Sequence, residues 1–553
     1  MLSKPPIART GKSGWLGQRA TRLKSLVVVG AVSLGFAGAA IAAAVPASAD
    51  PAFQFTEVGS DTIQNMMDFF AGQVGGGIIG TYDAVNPLSQ TAGEIITPGI
   101  ASATTPGASL NCSYTRPNGS GGGFKAMDFS YNPSTTLGQA AVAPQAGCIT
   151  MSRSSGAPGS VSGTAGTPGA LLGTGNFVYV PFAVDAVTYA TGGTTASSQT
   201  IKCNGPTTPT GFTCSSTTGQ GTVTFTTTPT TISQTADFTV AQLQTLYGTC
   251  SSVTVGGTTF NPGTSFTYSA TAASPAVFTT TAASNLTAGT TVTLSGGTAP
   301  TGFTNGTPYF VVAPTATTFE LAATSGGTPI NSTTTGSGTV TAAGNVDLYA
   351  PQPGSGTLSF WQTTMGVTAP QACWHQTIIA GPGTGIAVEE HDGAALASDP
   401  NGIAPNSIAK WVAMNNGVTT PDVRHGSLLQ SITVGTTVVP PTSGGAMNVA
   451  GCLTGASFNQ ATCFPITREV YNVVDFFEVV NTPPPAGQVG NPAFNPVLAG
   501  LFASTSSTLC RSTFTISNLG FGNLPTANSA FADQCGATTS LLRVQMNNTT
   551  AQG

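Results

Sequence analysis

The chain has 553 residues, of which only 6% are charged and 40% hydrophobic, with 70 Gly and 38 Pro. That balance excludes a solvating disordered chain, which carries more charge and fewer apolar residues. It suits many short strands joined by turns and polar loops. The formal net charge is −5, but residues 1–49 hold Lys4, Arg9, Lys12, Arg19, Arg22 and Lys24 and no acid, which leaves nine basic and twenty acidic residues, a net charge of −11, for the rest. Such a chain has no broad basic footprint for nucleic acid, and any anion it holds is held by local donors.

The N-terminus has the parts of an export signal: a basic stretch ending at Lys24, an apolar segment from Leu26 to Ala44, and the small-residue site Ala47-Ser48-Ala49. The expected product is a secreted, extracellular chain beginning at Asp50, with an uncleaved signal anchor as the alternative. No Cys lies near the cleavage point, so no lipid anchor is expected, and no other apolar run is long enough to span a bilayer. All ten Cys lie beyond the signal: Cys112, Cys148, Cys203, Cys214, Cys250, Cys373, Cys452, Cys463, Cys510 and Cys535. An even count in an exported chain points to disulfides, and the lack of a C-x-x-C weakens metal and redox readings. Proximity in sequence pairs them 112–148, 203–214, 250–373, 452–463 and 510–535. The pair 250–373 would staple the two ends of a long insertion.

Along the chain, Phe53 to Val58 alternates like a short strand and runs into Gly59-Ser60-Asp61-Thr62. Ile63 to Ala71 then reads as a helix with Ile63, Met66, Met67 and Phe70 on one face. A strand, a Gly/Ser turn and a helix place unpaired N–H groups where Ser, Asp or Thr either cap them or face a ligand. The plain N-cap is the simpler reading. Asn118 to Gly123 is a flexible loop or another helix entry. In Ile149 to Ser155 an Arg stands between serines, as a surface turn or as a site. Phe177 to Tyr189 reads as two short buried strands around Pro181. Residues 191–236 are Thr/Gly/Ser-rich with Lys202 the one charge, and Phe238 to Tyr247 is helical with Leu243, Leu246 and Tyr247 inward.

Residues 251–345 contain one charged residue, Glu320, and strand-like runs at Phe278, Thr291, Tyr309 and Thr318 between Gly/Pro/Asn turns. They predict a small all-β module, a sandwich being the first choice. α/β character returns at Tyr349, with Gly354-Ser355-Gly356-Thr357 entering a helix through Phe360 and Trp361. Glu389 to Gly393 precedes a helical stretch, Ile403 to Met414 follows, Pro465 to Val474 is another strand, and Cys510 to Cys535 is of mixed type. Trp361, Trp374 and Trp411 read as core or cleft-wall residues.

Taken in order, Gly59-Ser60-Asp61-Thr62, Gly119-Ser120-Gly121-Gly122, Arg153-Ser154-Ser155, Phe182-Ala183-Val184, Ala241 to Tyr247, Gly354-Ser355-Gly356-Thr357 with Phe360-Trp361, and His391-Asp392-Gly393 resemble the phosphate-binding subunit of bacterial phosphate importers and its looser actinobacterial relatives. The resemblance covers roughly residues 51–190, 238–250 and 346–480. It implies an α/β, two-lobed type II periplasmic-binding-protein fold with an inserted all-β module. Lobe 1 would be 50–183 and 410–553, lobe 2 would be 184–250 and 346–409, and the insertion 251–345. Ligand would sit in the cleft between lobes. The resemblance puts Ser60, Asp61, Thr62, Ser120, Arg153, Ser154 and Ser155 on one side and Ser355, Gly356 and Thr357 on the other. Backbone N–H groups at helix starts and Ser/Thr hydroxyls are the donors that a desolvated oxyanion needs.

Two positions depart from the family's phosphate-specific members. Pro351 stands where they carry an Arg, and Ser155 where they carry the Asp that accepts the ligand's proton. Arg153 and Asp61 are the expected replacements. The leading function is capture of a small, phosphate-like anion by a monomer without cofactor or metal, with an ABC permease as partner if it serves import. The alternative is a secreted surface protein with a vestigial pocket that uses its β-rich insertions for contacts. Catalysis is not expected: His375, His391 and His425 form no H-E-x-x-H and accompany no G-x-S-x-G. His391, between Glu390 and Asp392, is either a base held by a carboxylate or, more simply, part of a solvated polar turn.

Overall fold

A computed structural model describes residues 54–75, 77–85, 93–97, 99–101, 109–131, 147–158, 176–193, 197–202, 220–225, 237–281, 284, 286–342, 344–379, 385–419, 421–448, 464–482, 494–524 and 534–544. Residues 1–53, and with them the expected signal segment, lie outside the described residues.

The architecture repeats one unit twice. The first unit is β1 (Phe55–Gly59), α1 (Gln64–Val74), β2 (Ile79–Thr81), α2 (Gly119–Tyr131) and β3 (Met151–Ser154), followed by the long strand β4 (Phe177–Thr191) and the short helix α3 (Val240–Leu243). Next comes a barrel of β5 (Thr264–Ala270), β6 (Phe278–Thr280), β7 (Thr291–Thr298), β8 (Pro308–Val312), β9 (Thr318–Ala322) and β10 (Gly336–Ala342). The second unit is β11 (Asp347–Tyr349), α4 (Gly356–Met365), β12 (Trp374–His375), α5 (Ala394–Ser398) and β13 (Gly402–Ser407). It is followed by α6 (Ile408–Asn415), β14 (Leu428–Leu429) and β15 (Thr467–Asp475). Shorter hairpins and the C-terminal helices are given by residue range.

One sheet joins both units in the order β2-β1-β3-β15-β4-β13-β11-β12. In each unit the first strand is central and parallel to the other two: β1 to β2 and β3, β11 to β12 and β13. An antiparallel strand then closes each trio, β15 on β3 and β4 on β13. β4 is the shared element. Its residues Phe177 to Ala186 pair with β15, and Val187 to Thr191 pair with β13. All fifteen of its residues are buried, as a continuous apolar run covered on both faces requires.

The pair of strands expected around Pro181 is therefore a single strand. Proline lacks an N–H and would break a regular ladder. β4 accommodates it with a bulge of its own: the consecutive residues Val470 and Tyr471 pair with Ala183 and Pro181, which leaves Phe182 as the extra residue.

Sequence periodicity and helix agree elsewhere. Ile63, Met66, Met67 and Phe70 are all buried along α1, Asn118 to Gly123 is the entry to α2, and Leu243, Leu246 and Tyr247 point inward where α3 runs on into a π-helical turn. Trp361 and Trp374 are core residues against Tyr247. Trp411 is half-buried under the Arg424 guanidinium.

The all-β module is a closed six-stranded barrel, β5-β6-β9-β8-β7-β10, rather than a sandwich. β10 pairs with both β5 and β7 and so removes the free edges that two facing sheets would leave. Its core is its own: Phe278 stacks on Phe319, with Leu294, Val311, Leu321 and Val340 around them. The hairpin Val253–Val255/Thr258–Phe260 before it packs instead into the main core.

The barrel's two ends meet. Asn345 donates its N–H to Asn261 O at 2.9 Å, and Asn261 N–H donates to Asn345 Oδ1 at 2.6 Å. An added Cβ on Gly263 would lie 3.3 Å from Gly344 N. Removing residues 264–343 and joining Gly263 to Gly344 should leave the main body folded, with its melting temperature within a few degrees of the parent. Scanning calorimetry checks this, and loss of the main transition would refute it.

Three disulfides, Cys112–Cys148, Cys250–Cys373 and Cys510–Cys535, each with Cα atoms 5.8 Å apart, match the proximity pairing. The remaining expected pairs, 203–214 and 452–463, lie outside the described residues. Such bonds persist in oxidising compartments. Among the described residues no helix is long and apolar enough to cross a membrane.

Candidate functional site

The carboxyl ends of the parallel strands in the two units face one another. This is where open α/β sheets hold their ligands. Ser60 follows β1, Ser155 follows β3, and α4 begins just beyond β11. α1 has Ile63 at its N-cap and no side-chain cap, so Ser60, Asp61 and Thr62 are not the plain cap that local sequence favoured. Their side chains are buried and turn toward other partners.

The first unit contributes a hydroxyl cluster. Ser155 Oγ lies 3.0 Å from Ser60 Oγ, 3.1 Å from Thr62 Oγ1 and 3.4 Å from Ser120 Oγ. Ser120 Oγ also accepts the Ser155 N–H at 3.0 Å. The second unit meets this cluster through Gly356. An added Cβ there would come within 2.2 Å of Ser120 Oγ and 2.3 Å of Ser155 Oγ, so no larger residue fits. Beside it, Gly121 N–H donates across to Gly354 O at 3.0 Å.

The centre is charged. Arg468 on β15 donates Nη2 to Thr357 Oγ1 at 2.8 Å, to Thr62 Oγ1 at 3.3 Å and to Asp185 Oδ2 at 2.8 Å, while its Nε reaches Asp185 Oδ2 at 3.0 Å. Arg468 and Asp185 stand opposite one another in the β15/β4 ladder. Asp185 also accepts from Ser407 Oγ at 2.8 Å and from Ala409 N–H at 3.2 Å, at the start of α6. Arg468 Nη1 is buried without a hydrogen-bond partner among the described residues.

Glu390 brings its carboxylate to this centre. Its Oε1 accepts Thr357 N–H at 3.1 Å, at the start of α4, and Thr62 O–H at 2.9 Å, with His391 Nε2 at 3.3 Å. Burial alone would raise its pKa. The hydrogen bond from His391, the neighbouring His391 and Arg468 and the Thr357 contact outweigh that and hold the carboxyl well below the usual range. A side-chain carboxylate thus occupies a seat built of donors at a helix start, the kind of seat an anion takes.

His391 is buried, not part of a solvated turn. Its backbone φ of 64° is left-handed. Ser407 N–H donates to its Nδ1 at 3.0 Å, so the ring proton lies on Nε2, 2.9 Å from Thr62 Oγ1. A hydroxyl nucleophile needs the reverse, an Nε2 lone pair to take its proton and an Nδ1–H held by a carboxylate. The arrangement holds the Thr62 hydroxyl against Glu390 and does not set it up as a nucleophile in that way.

The other sequence-nominated residues separate. Arg153 is fully buried inside β3 rather than on a surface turn. Its Nε donates to Ser60 O at 3.2 Å and its Nη2 to Tyr82 O at 2.6 Å, behind the hydroxyl cluster. Its nearest carboxylate, Glu57, lies 4.0 Å away with no hydrogen bond, and burial prevails there, raising Glu57 to about 8. Among the described residues Ser154 Oγ bonds only Gly156, within its own turn. Ser355 Oγ caps α4 by accepting Leu358 N–H. Asp61 pairs with Lys410 Nζ at 3.1 Å; burial raises its pKa, and Lys410 opposes the rise.

Outside the centre lies a narrow cleft of about 30 Å³, lined by residues that include Asp61, Asn118, Glu389, Glu390 and Lys410. No group of three or more His, Cys, Asp or Glu suited to a metal occurs among the described residues.

Arg468, Asp185, Lys410 and Ser407 were not nominated from sequence. A signal was there: Arg468 and Asp185 are charges inside strand-like apolar runs, and such charges are buried only when paired. The fold and site define a mixed α/β protein with a polar, charged cluster buried between two repeated units. No protein-family model matches the chain, and no curated protein matches it in sequence.

Proposed function

We propose that the protein is an exported solute-binding protein of the type II periplasmic-binding kind. The two repeated units would be its lobes, hinged on β4 and β15, and they would close on a small oxyanion. Export would follow cleavage near Ala49, and an ABC permease would be the partner if the ligand is imported. The observation that carries this reading is the anion seat itself: Thr357 N–H and the Thr62 hydroxyl come from the two units to one carboxylate oxygen, Glu390 Oε1, and the Arg468 guanidinium holds the Thr62 and Thr357 hydroxyls beside it. Helix starts, hydroxyls and a buried guanidinium are the donors a desolvated oxyanion needs. Arg468, not Arg153, supplies the positive charge in this reading.

Glu390 sets the selectivity. Held ionised, it repels a fully deprotonated oxyanion but accepts a hydrogen bond from one that carries a proton. Hydrogen phosphate has such a proton at neutral pH and sulfate does not. Titration calorimetry of the purified full chain at pH 7 should therefore show phosphate bound at least tenfold more tightly than sulfate, and Glu390→Gln should erase the difference. Equal binding of both anions by the parent would remove Glu390 from this role.

A second reading, a secreted surface protein with a vestigial pocket, draws support from the same carboxylate, because the protein's own side chain fills the seat. Absence of heat and of thermal stabilisation with either anion would favour it.

A further inference from the structure

The cleft outside the anion seat has a charge that a bare oxyanion does not match. Five carboxylates line it, Asp61, Asp83, Glu389, Glu390 and Asp392, against one cation, Lys410. Three of the five face a basic side chain: Asp61 faces Lys410 at 3.1 Å, Asp392 faces His425 at 3.3 Å, and Glu390 Oε1 faces His391 at 3.3 Å. Among the described residues Glu389 Oε2 accepts only the neutral Asn118 amide, at 2.9 Å. Glu390 is 4% exposed, and while its Oε1 sits in the anion seat, its Oε2 has no hydrogen-bond partner among the described residues. A buried acceptor without a donor is costly. The Arg468 guanidinium reaches the same seat through the Thr62 and Thr357 hydroxyls, and its Nη1 is a buried donor without an acceptor among the described residues. The two unmet needs are opposite in sign, and Glu390 belongs both to the seat, through Oε1, and to the lining of the cleft.

We propose that the cleft takes an oxyanion with a cationic tail, a phosphomonoester of an amino alcohol, its phosphoryl group at Arg468 and its ammonium group between Glu389 and Glu390. The proposal rests on the reading of the seat as an oxyanion site and adds the tail. An ammonium offers three N–H donors, which answer Glu390 Oε2 and the remaining lone pairs of Glu389. Its charge offsets the excess of carboxylates that an approaching anion would otherwise meet. Burial, followed by the neighbouring Asp392, Asp61 and Glu390, pushes Glu389 up to about 7. A cation beside it lowers that value, so binding near neutral pH releases protons.

The test is calorimetry of the purified full chain with three probes: inorganic phosphate, phosphoethanolamine, and glycerol 3-phosphate, whose tail is of similar size and uncharged. Phosphoethanolamine is expected to bind at least tenfold more tightly than both others, with the advantage reduced to less than threefold in Glu389→Gln. Its binding heat should also vary with buffer ionisation enthalpy in the direction of proton release. Glu389 is only partly buried, so this variant is not expected to unfold the protein. Binding of phosphate or glycerol 3-phosphate as tight as that of phosphoethanolamine overturns the cationic tail and leaves the oxyanion site standing. An advantage that survives in Glu389→Gln equally overturns the placement of the tail. No binding of any of the three overturns the oxyanion site as well.

Discussion

Arg468→Met should abolish phosphate binding and lower the free energy of unfolding by about 3–5 kcal/mol, the cost of removing one partner from a buried ion pair. The guanidinium is 3% exposed, and Asp185, fully buried, loses its two contacts at 2.8 and 3.0 Å when it goes. The remaining carboxylate keeps Ser407 Oγ and Ala409 N–H, which are too few donors for a buried charge. The double variant Arg468→Met/Asp185→Asn removes the uncompensated charge, and the amide oxygen can still accept both of those hydrogen bonds. It should recover at least half of the lost stability without recovering binding. Urea titrations of the single and double variants measure this. A double variant no more stable than Arg468→Met would show that the cost lies in packing or in the hydroxyl contacts, not in the stranded charge.

Lowering the pH from 8 to 5 should stabilise the protein, against the habit of domains whose carboxylates are well paired. Burial raises the pKa of Glu57 and Glu478 to about 8, of Asp128, Asp347, Glu389 and Asp475 to about 7, and of Asp68 to about 6. A group whose folded pKa lies above its unfolded value binds its proton more tightly when folded. Its contribution is fully present below the unfolded value near 4, and it is lost as pH rises through the folded value. The window for these groups runs from about pH 4 to pH 8. His425, raised chiefly by Asp392 against its burial, acts in the same direction. Glu390, held low, opposes them only once the pH falls through its unfolded value near 4.5, below this range.

A carboxyl whose pKa rises tenfold in proton affinity on folding contributes about 1.4 kcal/mol, so several kcal/mol of added stability is expected over this range. Asp128 isolates the effect, since both its oxygens are buried without a partner among the described residues. Asp128→Asn should flatten the slope of stability against pH by up to about 1.4 kcal/mol for each step of one in pH. A denaturant midpoint that falls steadily from pH 8 to pH 5 would contradict the account.

Much of the local structure was legible in the sequence. The spacing of Ile63, Met66, Met67 and Phe70 marks the buried face of α1, because a helix repeats every 3.6 residues whatever it packs against. The runs at Phe278, Thr291, Tyr309 and Thr318 mark four barrel strands, because alternation and turn residues are local signals. Proximity also sufficed for the disulfides Cys112–Cys148, Cys250–Cys373 and Cys510–Cys535.

The tertiary structure decided the rest. Whether six strands form a sandwich or a barrel depends on β10 finding two partners, which no window of residues contains. That Phe177–Thr191 is one strand through Pro181 depends on pairing, with a bulge at Phe182, against a strand nearly three hundred residues away. Ser60, Thr62, Ser120 and Thr357 were visible as helix-entry hydroxyls, since their chemistry is written in a short motif. Their charges were not. Arg468 meets Asp185 through strand register, and Glu390 reaches Thr357 through the packing of α4 against the loop before α5. Arg153, one residue from its neighbours in the motif, turns to Ser60 O and Tyr82 O, because successive side chains on a strand point to opposite faces. Sequence determined which residue types were available at the cleft. Long-range register alone determined which of them face one another there.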